Sequence, residues 1–114
     1  MKTINEVIEL MRNGDYGIGV TNEEEAKKTI NVLKDNGFKE SSHLKDNLID
    51  TLNSVREGWV VELYTDCTDR IIYTYTNKED FGSNGERVLG EGILFSSIDF
   101  SDAKPKDLLR TLIL

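Results

Sequence analysis

The side chains in this chain best equipped for chemistry are its carboxylates. Glu62, Asp66 and Asp69 fall in and around "ELYTDCTD", and Glu79, Asp80, Glu86 and Glu91 fall in "EDFGSNGERVLGEG". Acids brought together in space can act as a general acid and base, hold a hard cation or offer anions to a basic partner. No spacing singles out a catalytic pair. "DCTD" at 66–69 could lend Asp66, Asp69 and carbonyls to a cation, but it lacks the glycine and the closing glutamate of an EF-hand loop.

Other reactive types are sparse. A cysteine nucleophile requires a thiolate, and Cys67 stands between Asp66 and Asp69, whose charge opposes one. Cys67 reads as a turn residue and His43 as a solvated surface residue. One cysteine and one histidine do not build a structural zinc site within a chain. "GSNGERVLGEG" has neither the lysine and hydroxyl of a P-loop nor the strand-before, helix-after setting of a dinucleotide fingerprint. Tyr64, Tyr73 and Tyr75 could stack bases on a sheet face, but the acidic balance of the chain favours packing. The expectation is a protein that is not an enzyme and carries no cofactor or metal.

That balance is the strongest global signal. Twenty-one Asp and Glu against fourteen Lys and Arg give a formal charge of −7. Such a surface repels nucleic-acid phosphates and acidic lipids. It serves solubility, and it also steers association with a basic partner. The chain has 114 residues, 38% of them hydrophobic, enough for one domain spanning 1–114. It has no apolar run long enough to cross a membrane. "MKTINEVIELMRNG" interrupts its apolar residues with charges, unlike a secretory leader, so an intracellular, cytoplasmic location is expected, with no internal disulfide.

The elements that must position these acids are legible from periodicity. Ile4, Val7, Ile8 and Met11 predict a helix over about 3–13, with Thr3 and Glu6 as a capping box and "NG" at 13–14 as its stop. "YGIGV" at 16–20 predicts a strand whose Gly17 and Gly19 leave one face bare, either for close packing or for a ligand. The triplet Glu23, Glu24 and Glu25 opens the next helix, capped by Thr21 or Asn22 and closed by Glu24 or Glu25. Ala26, Ile30, Leu33 and Phe38 face the core, and Gly37 ends this helix. A third helix is expected over 41–57, with Leu44, Leu48, Leu52 and Val55 as its stripe, widened by Ile49, and Ser41 or Ser42 as its cap. "WVVELYTD" and "RIIYTYT" predict an antiparallel hairpin turning at 66–69. A long irregular loop over 77–92, a strand over 93–100 and a C-terminal helix starting near Pro105 complete the order α-β-α-α-β-β-β-α. The expected class is α+β: a three- to four-stranded, mostly antiparallel sheet with helices on one face.

The opening "INEVIELMRNGDYGIGV" resembles the start of a small anti-CRISPR protein that inhibits type II effector nucleases. The resemblance is carried by Ile4, Asn5, Ile8, Asn13, Asp15 and Tyr16 and covers about 16 of the 114 residues. The family member is shorter and has a dense acidic run in its C-terminal half that this chain lacks, so no partner-contacting residue is carried over. The resemblance implies a non-catalytic inhibitor from a phage or mobile element, acting by occlusion as a DNA mimic in a basic nucleic-acid channel. The candidate acids for such a surface are Glu62, Asp66, Asp69, Glu79, Asp80, Glu86 and Glu91. Two other readings fit the same character: an immunity protein against a nuclease toxin, and a phage structural or regulatory subunit assembled through its C-terminal helix. A monomer or weak homodimer is expected.

Overall fold

The computed structural model describes residues 1–13, 16–42, 44–54, 59–65, 71–78, 85–86 and 91–103. The expected C-terminal helix, the hairpin turn and most of the 77–92 loop lie outside these residues. The fold is α+β, with three helices and two sheets among the described residues.

The first helix, α1 (Ile4–Asn13), follows a two-residue strand, β1 (Lys2–Thr3). The capping box forms as expected. Glu6 N–H donates to Thr3 Oγ1 and Thr3 N–H donates to Glu6 Oε1, both at 3.3 Å, so each residue satisfies a donor the helix start leaves open. Ile4, Val7, Ile8 and Met11 are all buried. The strand β2 (Tyr16–Val20) runs into α2 (Glu23–Asp35). Asn22 is the cap: its Oδ1 accepts from Glu25 N–H at 2.8 Å. Glu25 Oε1 reaches back to Thr21, accepting from its N–H at 2.9 Å and its hydroxyl at 3.0 Å. Glu23 pairs with Lys27 at 3.0 Å. Two of the three consecutive glutamates are thus accounted for by the building of α2.

After β3 (Lys39–Glu40), the chain forms α3 (Leu44–Ser54). Leu44, Leu48 and Leu52 are buried as the periodicity predicts, Ile49 is 39% exposed, outside the stripe, and Val55 lies outside the described residues. The hairpin is as expected: β4 (Trp59–Thr65) pairs antiparallel with β5 (Ile71–Lys78) over seven residues.

The expected strand over 93–100 is divided. Gly92–Leu94 forms β6, Phe95–Ser97 makes a 3₁₀ turn, and Ile98–Asp99 forms β7, which leaves the main sheet to pair with β1. The neighbour of this turn is Gly85, at φ +79°, where a Cβ would meet Ser97 Oγ at 1.7 Å. Glycine alone allows both that backbone conformation and that approach. Lys28 of α2 reaches this segment as well, its Nζ 4.3 Å from the centre of the Phe100 ring, a cation–π contact.

The main sheet has five strands in the order β3-β5-β4-β2-β6. It is larger than the three or four strands expected, because short parallel strands, β3 and β6, extend both edges of an antiparallel centre. On one face Tyr16, Ile18 and Val20 stand in register with Thr65, Leu63 and Val61, and this face packs into a single core with the apolar stripes of the three helices. Thr65 closes the contact with α1, its hydroxyl donating to Met11 O at 2.9 Å.

Candidate acidic binding surface

The strand registers place the candidate acids on a common frame. Tyr16 marks one end of the sheet: it pairs with Thr65, the last residue of β4, and Ile72 of β5 lies across from Thr65. The chain therefore leaves Thr65 toward Asp66 and Asp69, and re-enters the described residues at Ile71, at the Tyr16 end. Glu91 is at the same end. It immediately precedes β6, whose Gly92 is in register with Gly17, and its carbonyl accepts from Gly17 N–H at 3.2 Å. Neighbouring strands lie about 5 Å apart, so β4 and β6 are separated by about 10 Å across β2.

Glu86 joins them through an isolated bridge to Ile93, beside β6. Its carboxylate is about half exposed and accepts from Lys2 Nζ at 3.1 Å. Glu91 is exposed. The Tyr16 hydroxyl senses both acids. Its pKa is pushed up from 10.0 to about 12, first by burial and then by the negative charges of Glu86 and Glu91, all of which disfavour the phenolate.

Two parts of the expected surface fall elsewhere. Glu62 is a correction. It was expected to contribute to an exposed acidic surface, yet it is 1% exposed and takes part in interactions inside the fold. It sits at the centre of β4 on the sheet face away from the helices, in register with Gly19 of β2. Glu79 and Asp80 lie outside the described residues, and the chain approaches them from Lys78, which pairs with Trp59 at the end of the sheet opposite Tyr16. The strand frame thus gathers Glu86, Glu91 and the exits toward Asp66 and Asp69 at one end. It does not bring Glu62 or the exit toward Glu79 and Asp80 to that end.

Glu62 also explains the bare face of "YGIGV". A Cβ on Gly17 would stand 2.9 Å from Glu62 Oε2 and 3.4 Å from Tyr64 Cβ. The glycine makes room for a buried carboxylate from the next strand, which is the close-packing reading of that stretch. Tyr64 and Tyr73 pack together beside it, with ring centres 5.5 Å apart.

Sequence reasoning missed Lys2 and Tyr16 as members of this end. Lys2 meets Glu86 across 84 positions of sequence, a pairing that no local pattern encodes. Tyr16 could have been found, because it opens the strand on which the hairpin exit and β6 converge.

The chain matches no protein-family model, no curated protein and no solved structure. Among the described residues no cluster of three or more His, Cys, Asp or Glu is placed to hold a metal ion. No helix among them is long and apolar enough to cross a membrane.

Proposed function

We propose that this protein is a non-catalytic inhibitor of the anti-CRISPR type, phage-encoded and acting in the bacterial cytoplasm. It binds a basic nucleic-acid-binding effector nuclease through acids at the Tyr16 end of its sheet. The observation that carries this reading is the convergence of Glu86 and Glu91 on that end, beside the strand exits to Asp66 and Asp69, in a chain of formal charge −7. A channel built for phosphates is already lined with cations, so carboxylates held on a rigid strand frame gain attraction there without new chemistry.

The reading is tested by reversing Asp66, Asp69, Glu86 and Glu91 to Lys and measuring inhibition of purified type II effector nucleases. The expected result is inhibition by the parent chain and its loss in the variant, with an unchanged circular dichroism spectrum and thermal midpoint. Inhibition by the parent should weaken as salt rises, because the contact is between solvent-exposed charges. Undiminished inhibition by the reversed variant, or a parent chain that leaves these nucleases fully active, overturns it.

A further inference from the structure

The chain contains three Asn-Gly pairs, at 13–14, 36–37 and 84–85, and both residues of the middle pair are described. Asn-Gly is the dipeptide most prone to spontaneous deamidation, since glycine offers no side chain to hinder the reaction. The glycine backbone nitrogen attacks the asparagine Cγ, forming a C–N bond. Ammonia leaves with the displaced proton, and a succinimide ring results. Water then opens one of the two ring carbonyls, giving aspartate or isoaspartate.

At 36–37 the fold ties down both reacting groups. Asn36 caps the C-terminus of α2 and Gly37 follows at φ +93°, the left-handed position that favours glycine. Phe38 N–H donates to Leu33 O at 3.1 Å, and Gly37 N–H donates to Lys34 O at 3.2 Å, the two bonds of a Schellman motif. The attacking nitrogen is therefore engaged with the helix. The group under attack is held away from it, because Asn36 Nδ2 donates backward to Val32 O at 2.8 Å. Asn36 is 8% exposed, and its carbonyl accepts from Arg12 Nη2 at 3.1 Å, which fastens the cap to α1.

We infer that Asn36–Gly37 is a modification site sealed by the fold, which deamidates only when the end of α2 opens and which then prevents the cap from re-forming. The second half follows from the product. An aspartate in place of Asn36 exchanges the donor to Val32 O for an acceptor, setting oxygen against oxygen in a buried position. It also places a negative charge at the negative end of the helix dipole. Isoaspartate adds a backbone atom between the cap and Gly37, so the two Schellman bonds cannot both close.

The test incubates the intact protein at mildly alkaline pH, with and without denaturing urea, and locates deamidation by peptide mass spectrometry. In urea Asn36 should convert freely. In the folded protein it should convert on the order of tenfold or more slowly, by the factor that amide hydrogen exchange reports for opening at Gly37 and Phe38. Equal rates with and without urea overturn the seal. For the one-way step, material aged in urea is refolded and separated. Chains deamidated at Asn36, whether to aspartate or to isoaspartate, should be depleted from the refolded fraction, and Asn36→Asp should unfold at a lower urea concentration than the parent. Modified chains recovered in the refolded fraction in their original proportion overturn that step.

Discussion

Glycine at position 17 should be required by the glutamate at position 62, and the dependence can be measured. In Gly17→Ala the new methyl would lie 2.9 Å from Glu62 Oε2 and 3.4 Å from Tyr64 Cβ. The first distance forces a movement of the buried carboxylate, and the second is at the near edge of ordinary van der Waals contact. Alanine brings a benefit of about 0.5–1 kcal/mol over glycine in a strand, through the unfolded chain's lower entropy. Against it stands the displacement of a carboxylate that is 1% exposed, and overpacking of this kind costs about 1–3 kcal/mol. The net expectation is a loss of about 1–2 kcal/mol.

The assay is urea denaturation followed by circular dichroism. With a slope near about 1.5 kcal/mol/M, typical of small domains, such a loss lowers the midpoint by about 1 M at unchanged slope. A double-mutant cycle isolates the cause. In a Glu62→Asp background the carboxylate retreats by about one bond length, and Gly17→Ala should cost about 1 kcal/mol less than in the parent. A Gly17→Ala variant as stable as the parent would refute the reasoning. So would a cost identical in both backgrounds, which would place the strain elsewhere.

Two further outcomes follow from single side chains. Thr29 is 1% exposed in α2, and its hydroxyl finds no hydrogen-bond partner among the described residues. The near-isosteric Thr29→Val should therefore stabilise by about 1 kcal/mol and raise the thermal midpoint by about 3–5 °C; a lower midpoint would show that the hydroxyl is satisfied. Tyr16 titrates at about 12 in the fold against 10.0 when unperturbed, so above pH 10 the unfolded chain holds fewer protons than the folded one. Its contribution, about 1–2 kcal/mol once solvent screening is allowed for, is complete below pH 10 and lost as the pH rises toward 12. Denaturation midpoints across that window should fall more steeply for the parent than for Tyr16→Phe, and parallel slopes would remove Tyr16 as the cause.

What the sequence made legible was local. Thr3 with Glu6 and Asn22 with Glu25 are helix starts written within four residues, and the structure forms both. The stripes of α1 and α2 and the β4–β5 hairpin rest on periods that repeat several times, so single exceptions do not hide them. The division of 93–100 was illegible because a two-residue strand has no period. Pairing Lys2 and Thr3 with Ile98 and Asp99 joins segments 96 positions apart, a contact that no local pattern encodes. Glu62 misled for a different reason. Alternation with Val61 and Leu63 assigns it to the face away from the helices, which is correct, but that face is covered at Glu62, which is 1% exposed. Adjacent Val60 and Val61 were the available signal. Two apolar neighbours in a strand put an apolar residue on each face, and a sheet buried on both sides reads as a continuous apolar run. Val60 is 2% exposed and stands outside the helix-side core.

Sorting the acids by what the fold already asks of them narrows the surface left for a partner. Glu6 and Glu25 close helix starts, Glu23 is paired along α2, Glu40 lies 3.5 Å from Lys34, and Glu62 is buried beneath Gly17. A carboxylate engaged in this way cannot be offered to a second molecule without giving up a contact, so net charge overstates what a basic groove would meet. Glu91 enters the fold through its backbone carbonyl and is exposed, and Glu86 is held by a backbone bridge and pairs with Lys2 while its side chain stays about half exposed. Surface ion pairs of that sort contribute about 0–1 kcal/mol and are readily exchanged for a better cation. The sheet therefore holds these two main chains in place while leaving Glu91 and about half of the Glu86 side chain exposed. A protein that presents anions to a cationic partner needs them in a fixed arrangement, and the proposed surface rests on Glu86 and Glu91 standing together near Tyr16.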